Sequence, residues 1–308
     1  MLSPRPTSYT STLITKFRRA EMKFHIITAM YNVEEWIEEN IRFLKDQTFK
    51  NFQVVLVDDQ STDDTVKLVR SAIAGDDRFQ LIVNQEKKYK TRNVVEAIAA
   101  ARPEDDDVIV MVDGDDRLAH KDVLQKLAAI YQEEDAWMTY GSFSNSQGVR
   151  DEGCRPYKKS IIERHRFRQS KWIAYHLKTF KYKLWRKLDM SIFQVSEAEI
   201  KNVLIRSFLR LQFRRWYHWK DIKAVELHDN SGKYIRRVDD KAFSYPMLEM
   251  SGHRACFVDE VLYVFRAERN PYKGSDQNYG KGKSEKWHTR LIREALRHKK
   301  PYERLDKL

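Results

Sequence analysis

Only two cysteines, Cys154 and Cys256, occur in the 308 residues, which excludes a disulfide framework and a thiolate metal cluster. Glycine (10) and proline (7) are scarce, so no Gly/Pro-rich linker marks a hinge between independent domains. Apolar runs are short: none approaches the roughly 18 uninterrupted residues that a membrane-spanning helix needs. The N-terminus has no apolar stretch of the secretory type. Together these absences predict a cytoplasmic, soluble protein. The opening 22 residues (MLSPRPTSYTSTLITKFRRAEM) are rich in Ser, Thr and Arg and read as a disordered basic tail or an upstream start.

What is present is a chain with 42% hydrophobic and 33% charged residues, long enough for one large α/β domain or two small ones. Its net charge of +12 is concentrated: residues 155–220 hold 18 Lys/Arg against 4 Asp/Glu. A basic, aromatic-rich region of this kind suits nucleic acid, an anionic membrane surface or a phosphorylated acceptor.

The first half alternates strand and helix signals. Short β-branched runs at 24–31 (FHIITAMY), 52–59 (FQVVLVDD), 79–85 (FQLIVNQ) and 107–113 (DVIVMVD) are separated by helical patterns at 34–47, 61–73 and 91–101, with another at 122–134. Near-continuous apolar strands between helices imply a mostly parallel sheet covered on both faces, Rossmann-like, with its ligand at the carboxyl ends of the strands. After 135 the alternation is lost. A strand at 137–143, a loop and basic helix at 153–170, a strand running into a helix at 176–188 and one basic helix at 196–220 follow. A Pro246-containing helix at 240–252, a strand pair at 256–266 and a basic amphipathic helix at 286–300 complete the reading.

The sharpest chemical feature is Asp113-Gly114-Asp115-Asp116 directly after the apolar run DVIVMV. Crowded carboxylates repel one another unless a cation offsets them, and hard oxygen ligands suit Mg²⁺ or Mn²⁺. Such an ion can bridge to a diphosphate and stabilise it as a leaving group. An isolated acidic turn is also a common helix cap, but two other strand ends are equally polar. Thr28 to Asn32 offers hydroxyls, an amide and an aromatic face, and Asp58 offers a carboxylate able to accept hydrogen bonds from a base or ribose. Ser61 or Asp63 caps the helix that follows.

TAMYNVEEWIEENI, VVLVDDQSTDDT, the Arg92-Asn93 pair and VIVMVDGDD stand in the order and rough spacing of the nucleotide-binding motifs of family 2 glycosyltransferases, including the DXD motif, and the chain resembles that family. Downstream, YHLKTFKYKLWRKL, DDKAFSYPMLEMSG and LYVF resemble acceptor-side segments of one bacterial and viral subgroup, so the likeness covers most of residues 23–270. It implies a GT-A fold, with a nucleotide-sugar and metal-binding half at 23–135, an acceptor-binding and catalytic half at 136–270 and a basic C-terminal helix within 271–308. It implies that Thr28, Tyr31 and Asp58 contact the donor base and ribose, that Arg92 and Asn93 line the same pocket, that Asp113 faces the ribose and that Asp115, with Asp113, binds Mn²⁺ or Mg²⁺.

The resemblance also implies an acidic base that deprotonates the acceptor hydroxyl for single displacement with inversion. The match falls on Asp239-Asp240, with Asp240 favoured and Glu249 more remote. Two adjacent acids there could equally be a surface N-cap. The implied donor is a nucleotide sugar, by analogy a UDP-sugar; the acceptor is a glycan, lipid or protein, with peripheral contact to an anionic surface through 196–220. Departures from the pattern are the lysine-rich EKKYK (86–90), whose Lys88 and Lys90 reach donor phosphates or are solvated, and the lack of a histidine soon after Arg266, His288 being the next, which leaves a third metal ligand unassigned. His176 and the aromatics Trp172, Trp185, Trp216, Tyr217 and Trp219 read as core packing or as sugar platforms. Two other classes compete. A nucleotidyltransferase needs a glycine- and lysine-bearing phosphate loop, which TAMYNVEEW lacks. A nucleic-acid-binding protein fits the basic segment, although no recognised module appears.

Overall fold

A computed structural model describes residues 22–266 and 283–308 of the chain. The tail expected at 1–22 lies outside the described residues apart from Met22, as does 267–282. The strands are β1 (Phe24–Met30), β2 (Phe52–Asp58), β3 (Phe79–Val83), β4 (Val108–Met111), β5 (Arg117–Leu118), β6 (Met138–Ser144), β7 (Lys178–Lys181) and β8 (Ala255–Val264). The helices of the first half are α1 (Ile37–Lys45), α2 (Thr65–Ile73), α3 (Tyr89–Ala101) and α4 (Val123–Glu133). Those of the second half are α5 (Lys159–Glu163), α6 (Tyr182–Trp185), α7 (Glu197–Leu209), α8 (Phe213–Trp219), α9 (Ala224–Leu227), α10 (Asp239–Ser251) and α11 (Lys283–His298).

One eight-stranded, mostly parallel sheet runs β3-β2-β1-β4-β7-β6-β8-β5, with only β7 and β5 reversed. Side chains alternate across a strand, so each β-branched run feeds two cores. Ile26, Val54 and Val108 point into the layer shared with α1 and α4, while their neighbours Ile27, Val55 and Ile109 point into the layer shared with α3 and α10. The strands are therefore apolar throughout, which is why they read as continuous runs rather than as alternation. Helix α1 presents Ile37, Ile41 and Leu44 to its layer, each buried side chain contributing roughly 1.5–3 kcal/mol.

The order β3-β2-β1-β4 leaves the chain on opposite sides of β1, and the carboxyl ends of β1, β2 and β4 meet at one edge of the sheet. Reversed strand β7 then lies against β4, with Lys178 opposite Met111. Two-residue β5 pairs with the end of β8, setting Leu118 opposite Tyr263. These two pairings deliver residues of the second half to the acidic turn.

Two sequence expectations are corrected. The basic helix expected at 196–220 is two, α7 and α8, because Leu211 adopts the left-handed region (φ 54°) between them. Residues 256–264 belong to the single strand β8 (Ala255–Val264) rather than to a pair, and Phe265 and Arg266 lie beyond it. Asp259 and Glu260 interrupt its apolar pattern, but the register with β6 shifts from Gly141↔Val258 to Ser142↔Val261, and the acids are accommodated as a bulge. Helix α10 runs through Pro246 and ends at Gly252, whose φ of 56° suits a cap without a side chain.

The second half is pinned by a buried ion pair. Arg168 Nε and Nη2 donate to the two oxygens of Glu249 at 2.6 and 2.9 Å, and the Tyr302 backbone N–H donates to the same carboxylate at 3.0 Å. Both side chains are essentially inaccessible. Removing one partner strands the other as a buried charge, so Glu249→Ala is expected to lower the unfolding free energy by about 3–5 kcal/mol, measured as a shift of the urea midpoint at constant slope.

Candidate functional site

The loops after β1 and β2 are laced together before any ligand is considered. Asn32, in the left-handed region (φ 49°), donates its backbone N–H to Ser61 Oγ at 2.9 Å and accepts from the Thr62 N–H at 2.8 Å. Asp63 Oδ1 accepts from the Thr65 N–H and so caps α2. Asp58 accepts from the Ser61 N–H at 3.0 Å through Oδ2, while its buried Oδ1 has no partner among the described residues; burial raises this carboxyl above the ordinary range. Thr28 Oγ1 and Asn93 Nδ2 are likewise buried and unpartnered, although Asn93 Oδ1 accepts from Asn84 at 2.7 Å. Buried polar atoms are nearly always paired, so the three unpaired ones beside the meeting strand ends are available to a ligand.

Asp59 shapes the next loop. It accepts from Asn84 Nδ2 and from the backbone N–H groups of Lys88 and Tyr89, at 2.8–3.1 Å, and thereby sets the start of α3. The Lys87 ammonium rests over the half-buried Tyr31 ring. Arg92 is held by Glu96 at 2.7 Å, Glu86 at 3.0 Å and Asp229 at 3.6 Å, which ties α3 to the 229–236 segment. Lys88 is not solvated, because it pairs with Glu96 at 2.7 Å.

The acidic turn is fixed from three directions. A Cβ on Gly114 would lie 2.6 Å from Met30 Cβ, so only glycine lets the turn sit against the end of β1. Asn40 of α1 donates to the carbonyls of Asp113 and Asp116 at 3.0 and 2.8 Å. Tyr263 of β8 accepts from the Asp113 N–H at 3.1 Å and donates to Asp116 Oδ2 at 2.7 Å, and the Arg266 N–H donates to the other Asp116 oxygen. One oxygen from each of Asp113, Asp115 and Asp116 lies within 4.8 Å of the others. Burial, reinforced by Asp115 and Asp113, pushes the Asp116 carboxyl up to about 8.

Lys90 joins this turn to the second half. Its Nζ lies 2.8 Å from an Asp113 oxygen. Burial disfavours its charge, yet Asp113, Asp239 and Asp240 together hold it above the normal lysine range. Lys178, buried on β7, sits in the field of the same three carboxylates and is pushed down by burial. The structure therefore gathers Asp113, Asp239 and Asp240 around shared lysines, and the adjacent acids are not a surface cap. Asp239 is buried and raised by that burial. In Asp240 burial is outweighed by Lys241, Lys178 and Lys90, which lower it, and its side chain remains 34% exposed. His176 stacks on Tyr263 at 4.6 Å, and burial with Lys178 lowers it to about 3, so it is neutral there.

Sequence reasoning placed Asp116 in the acidic cluster but missed Lys178 and the Asp113 contact of Lys90. A lysine inside a short strand read as buried was the available signal. Glu249 is excluded as a base because Arg168 and the Tyr302 N–H consume its oxygens. His288 pairs with Glu226 at 3.6 Å instead. Trp185 and Trp219 are buried core residues, and Trp219 and Trp172 both line a cavity of about 450 Å³ with Lys171, Lys241, Tyr245 and Arg293. Lys241 lies 3.5 Å from Asp240, so this cavity opens beside the acid pair.

Residues 25–193 match the profile described as Glycosyl transferase family 2. Among curated proteins, the glycosyltransferase GlyG of Streptococcus pneumoniae serotype 4 is 26% identical over 120 residues, which is 39% of this chain and 38% of GlyG. The glycosyltransferase EpsJ of Bacillus subtilis (strain 168) is 26% identical over 80% of this chain and 63% of its own length. The chain thus spans less than two thirds of these relatives. Among solved structures, TarS of S. aureus (residues 1–349, with UDP-GlcNAc) superposes with a TM-score of 0.54 at 19% identity, covering 83% of this chain and 61% of that one, and so shares the fold. With more than half of its length inside the profile and the acidic turn seated at the switch point of a GT-A-like sheet, the chain belongs to Glycosyl transferase family 2.

Proposed function

We propose that the protein transfers a sugar from a nucleoside diphosphate donor to an acceptor hydroxyl by a single inverting displacement assisted by Mg²⁺ or Mn²⁺. The observation that carries this reading is the convergence of the Asp113–Asp116 turn and the Asp239–Asp240 pair on the same lysines, Lys90 and Lys178. Residues 23–135 then form the donor half and 136–270 the acceptor half. A UDP-sugar is the donor we favour, because the TarS structure of the same fold holds UDP-GlcNAc. Tyr31 supplies a face for the base, Asp58 and the Thr28–Asn93 edge supply polar contacts to base and ribose, and Arg92 braces the pocket wall. The two free cysteines fit a cytoplasmic location.

The donor set of the turn fits a hard divalent cation: three carboxylates converge, and Asp115 and Asp113 remain partly open. Asp115 and Asp113 would hold the ion, with Asp116 behind them. When bound, the ion supplies neutralisation of charge on the departing diphosphate. Asp240 is the better base, since a base must be ionised and reachable, whereas Asp239 is buried and raised toward its neutral form. In the displacement the acceptor O–H gives its proton to Asp240, its oxygen forms the bond to the anomeric carbon, and the bond from that carbon to the diphosphate oxygen breaks.

Asp115→Asn is expected to abolish the part of thermal stabilisation by UDP that depends on added Mn²⁺, read by differential scanning fluorimetry. Asp240→Asn should leave that stabilisation intact while reducing transfer, or slow donor hydrolysis, by about 10²–10⁴-fold. Transfer within a few-fold of the parent would assign the base elsewhere. Gly114→Ala, which forces the turn off Met30, should weaken Mn²⁺-dependent nucleotide binding more than tenfold in a titration while the far-ultraviolet circular dichroism stays unchanged.

A further inference from the structure

Ten large hydrophobic side chains are conspicuously exposed among the described residues, and six of them lie in one stretch: Ile205, Phe208, Leu209, Leu211, Phe213 and Tyr217. They crown the α7–α8 turn. Leu209 and Leu211 stand 73% and 74% exposed, and the left-handed Leu211 drives the turn outward. A cluster of this size on a soluble chain marks a contact surface.

Charge identifies what it contacts. Residues 201–220 contain six Lys/Arg and no Asp or Glu. Among the described residues no carboxylate pairs with Arg206, Arg210 or Arg214, and Arg215 reaches Glu294 only at 3.8 Å. A second copy of the same face would bring like charges together without an acid to relieve them. Stacking on nucleic acid bases uses aromatic faces, but the most exposed side chains of the patch are the aliphatic Leu209 and Leu211, while Phe208 packs against Phe213 at 5.6 Å and Trp216 at 6.0 Å. Protruding aliphatics ringed by unpaired arginines match a bilayer interface, with acyl chains receiving the leucines and anionic headgroups receiving the cations.

A cavity of about 470 Å³ beneath the turn is lined by Arg206, Arg210, Arg215, Arg297 and His298 with the single carboxylate Glu294, so its cations are in excess, a setting for headgroup phosphate. It shares Arg215 and Arg297 with the cavity of about 450 Å³ that reaches Lys241 beside Asp240. Docking at the turn therefore sets the acceptor side of the site next to the lipid surface.

We propose that the α7–α8 turn is a peripheral membrane anchor that inserts Leu209 and Leu211 into an anionic bilayer and seats its arginines on lipid phosphates. The test is co-sedimentation of the full chain with vesicles of phosphatidylcholine alone or with 30% phosphatidylglycerol (roughly 30%, an anionic surface of the cytoplasmic kind). Binding should require the anionic lipid and weaken with salt. Arg206→Glu with Arg210→Glu should reduce it more than tenfold, at roughly fivefold or more per cation. Leu209→Ser with Leu211→Ser, both exposed positions, should also reduce it at least tenfold while Mn²⁺-dependent UDP stabilisation is unchanged. Equal binding to neutral vesicles, no binding to either, or anionic binding indifferent to the leucines would each overturn the anchor; the last would describe a purely electrostatic polymer surface. The anchor does not rest on the transferase chemistry, so either idea can fail alone.

Discussion

Mutual repulsion among carboxylates is the constraint around which this protein is arranged. The first half ends a strand in Asp113, Asp115 and Asp116, and the second half begins a helix with Asp239 and Asp240. Like charges this close are tolerable only with cations between them or with some of the acids held toward their neutral form, as Asp116 and Asp239 are. Lys90 and Lys178 meet that need from α3 and β7, and the antiparallel pairing of β7 with β4 sets Lys178 beside Met111. The two functional halves are thus joined by electrostatics as well as by the sheet that passes through both.

The same field separates the roles of neighbouring acids. Asp239 and Asp240 are adjacent in sequence, but one faces the packed interior and the other an opening with Lys241 at its side. Asp116 is likewise absorbed by Tyr263 and the Arg266 N–H, which leaves Asp115 and Asp113 facing the cleft. Small differences in burial and hydrogen bonding decide which carboxylate is structural and which is available.

Much of this was legible in the sequence because local rules governed it. Double-faced strands give continuous apolar runs, and their ends give polar clusters, so β1, β2, β4 and the turn at Asp113 could be located from the pattern alone. What escaped depends on partners distant in sequence or on conformations without a signature. Nothing in LRLQF announces a left-handed leucine, since glycine and proline are absent there, and α7–α8 therefore read as one helix. Asp259-Glu260 resembles a turn until the bulge opposite Gly141 to Phe143 accounts for it. The engagement of Asp116 by Tyr263 spans 147 residues and no window of sequence contains it.

That separation bears on how the site comes into being. The three parallel strands and their helices are assembled from neighbouring segments and can form early. The acidic turn is completed only when a tyrosine hydroxyl from the penultimate residue of β8 arrives between Asp113 and Asp116. A chain halted before β8 would hold the first four strands yet lack the group that orients its carboxylates. The final arrangement of the acidic turn is therefore set by completion of the sheet rather than by the folding of residues 23–135 alone.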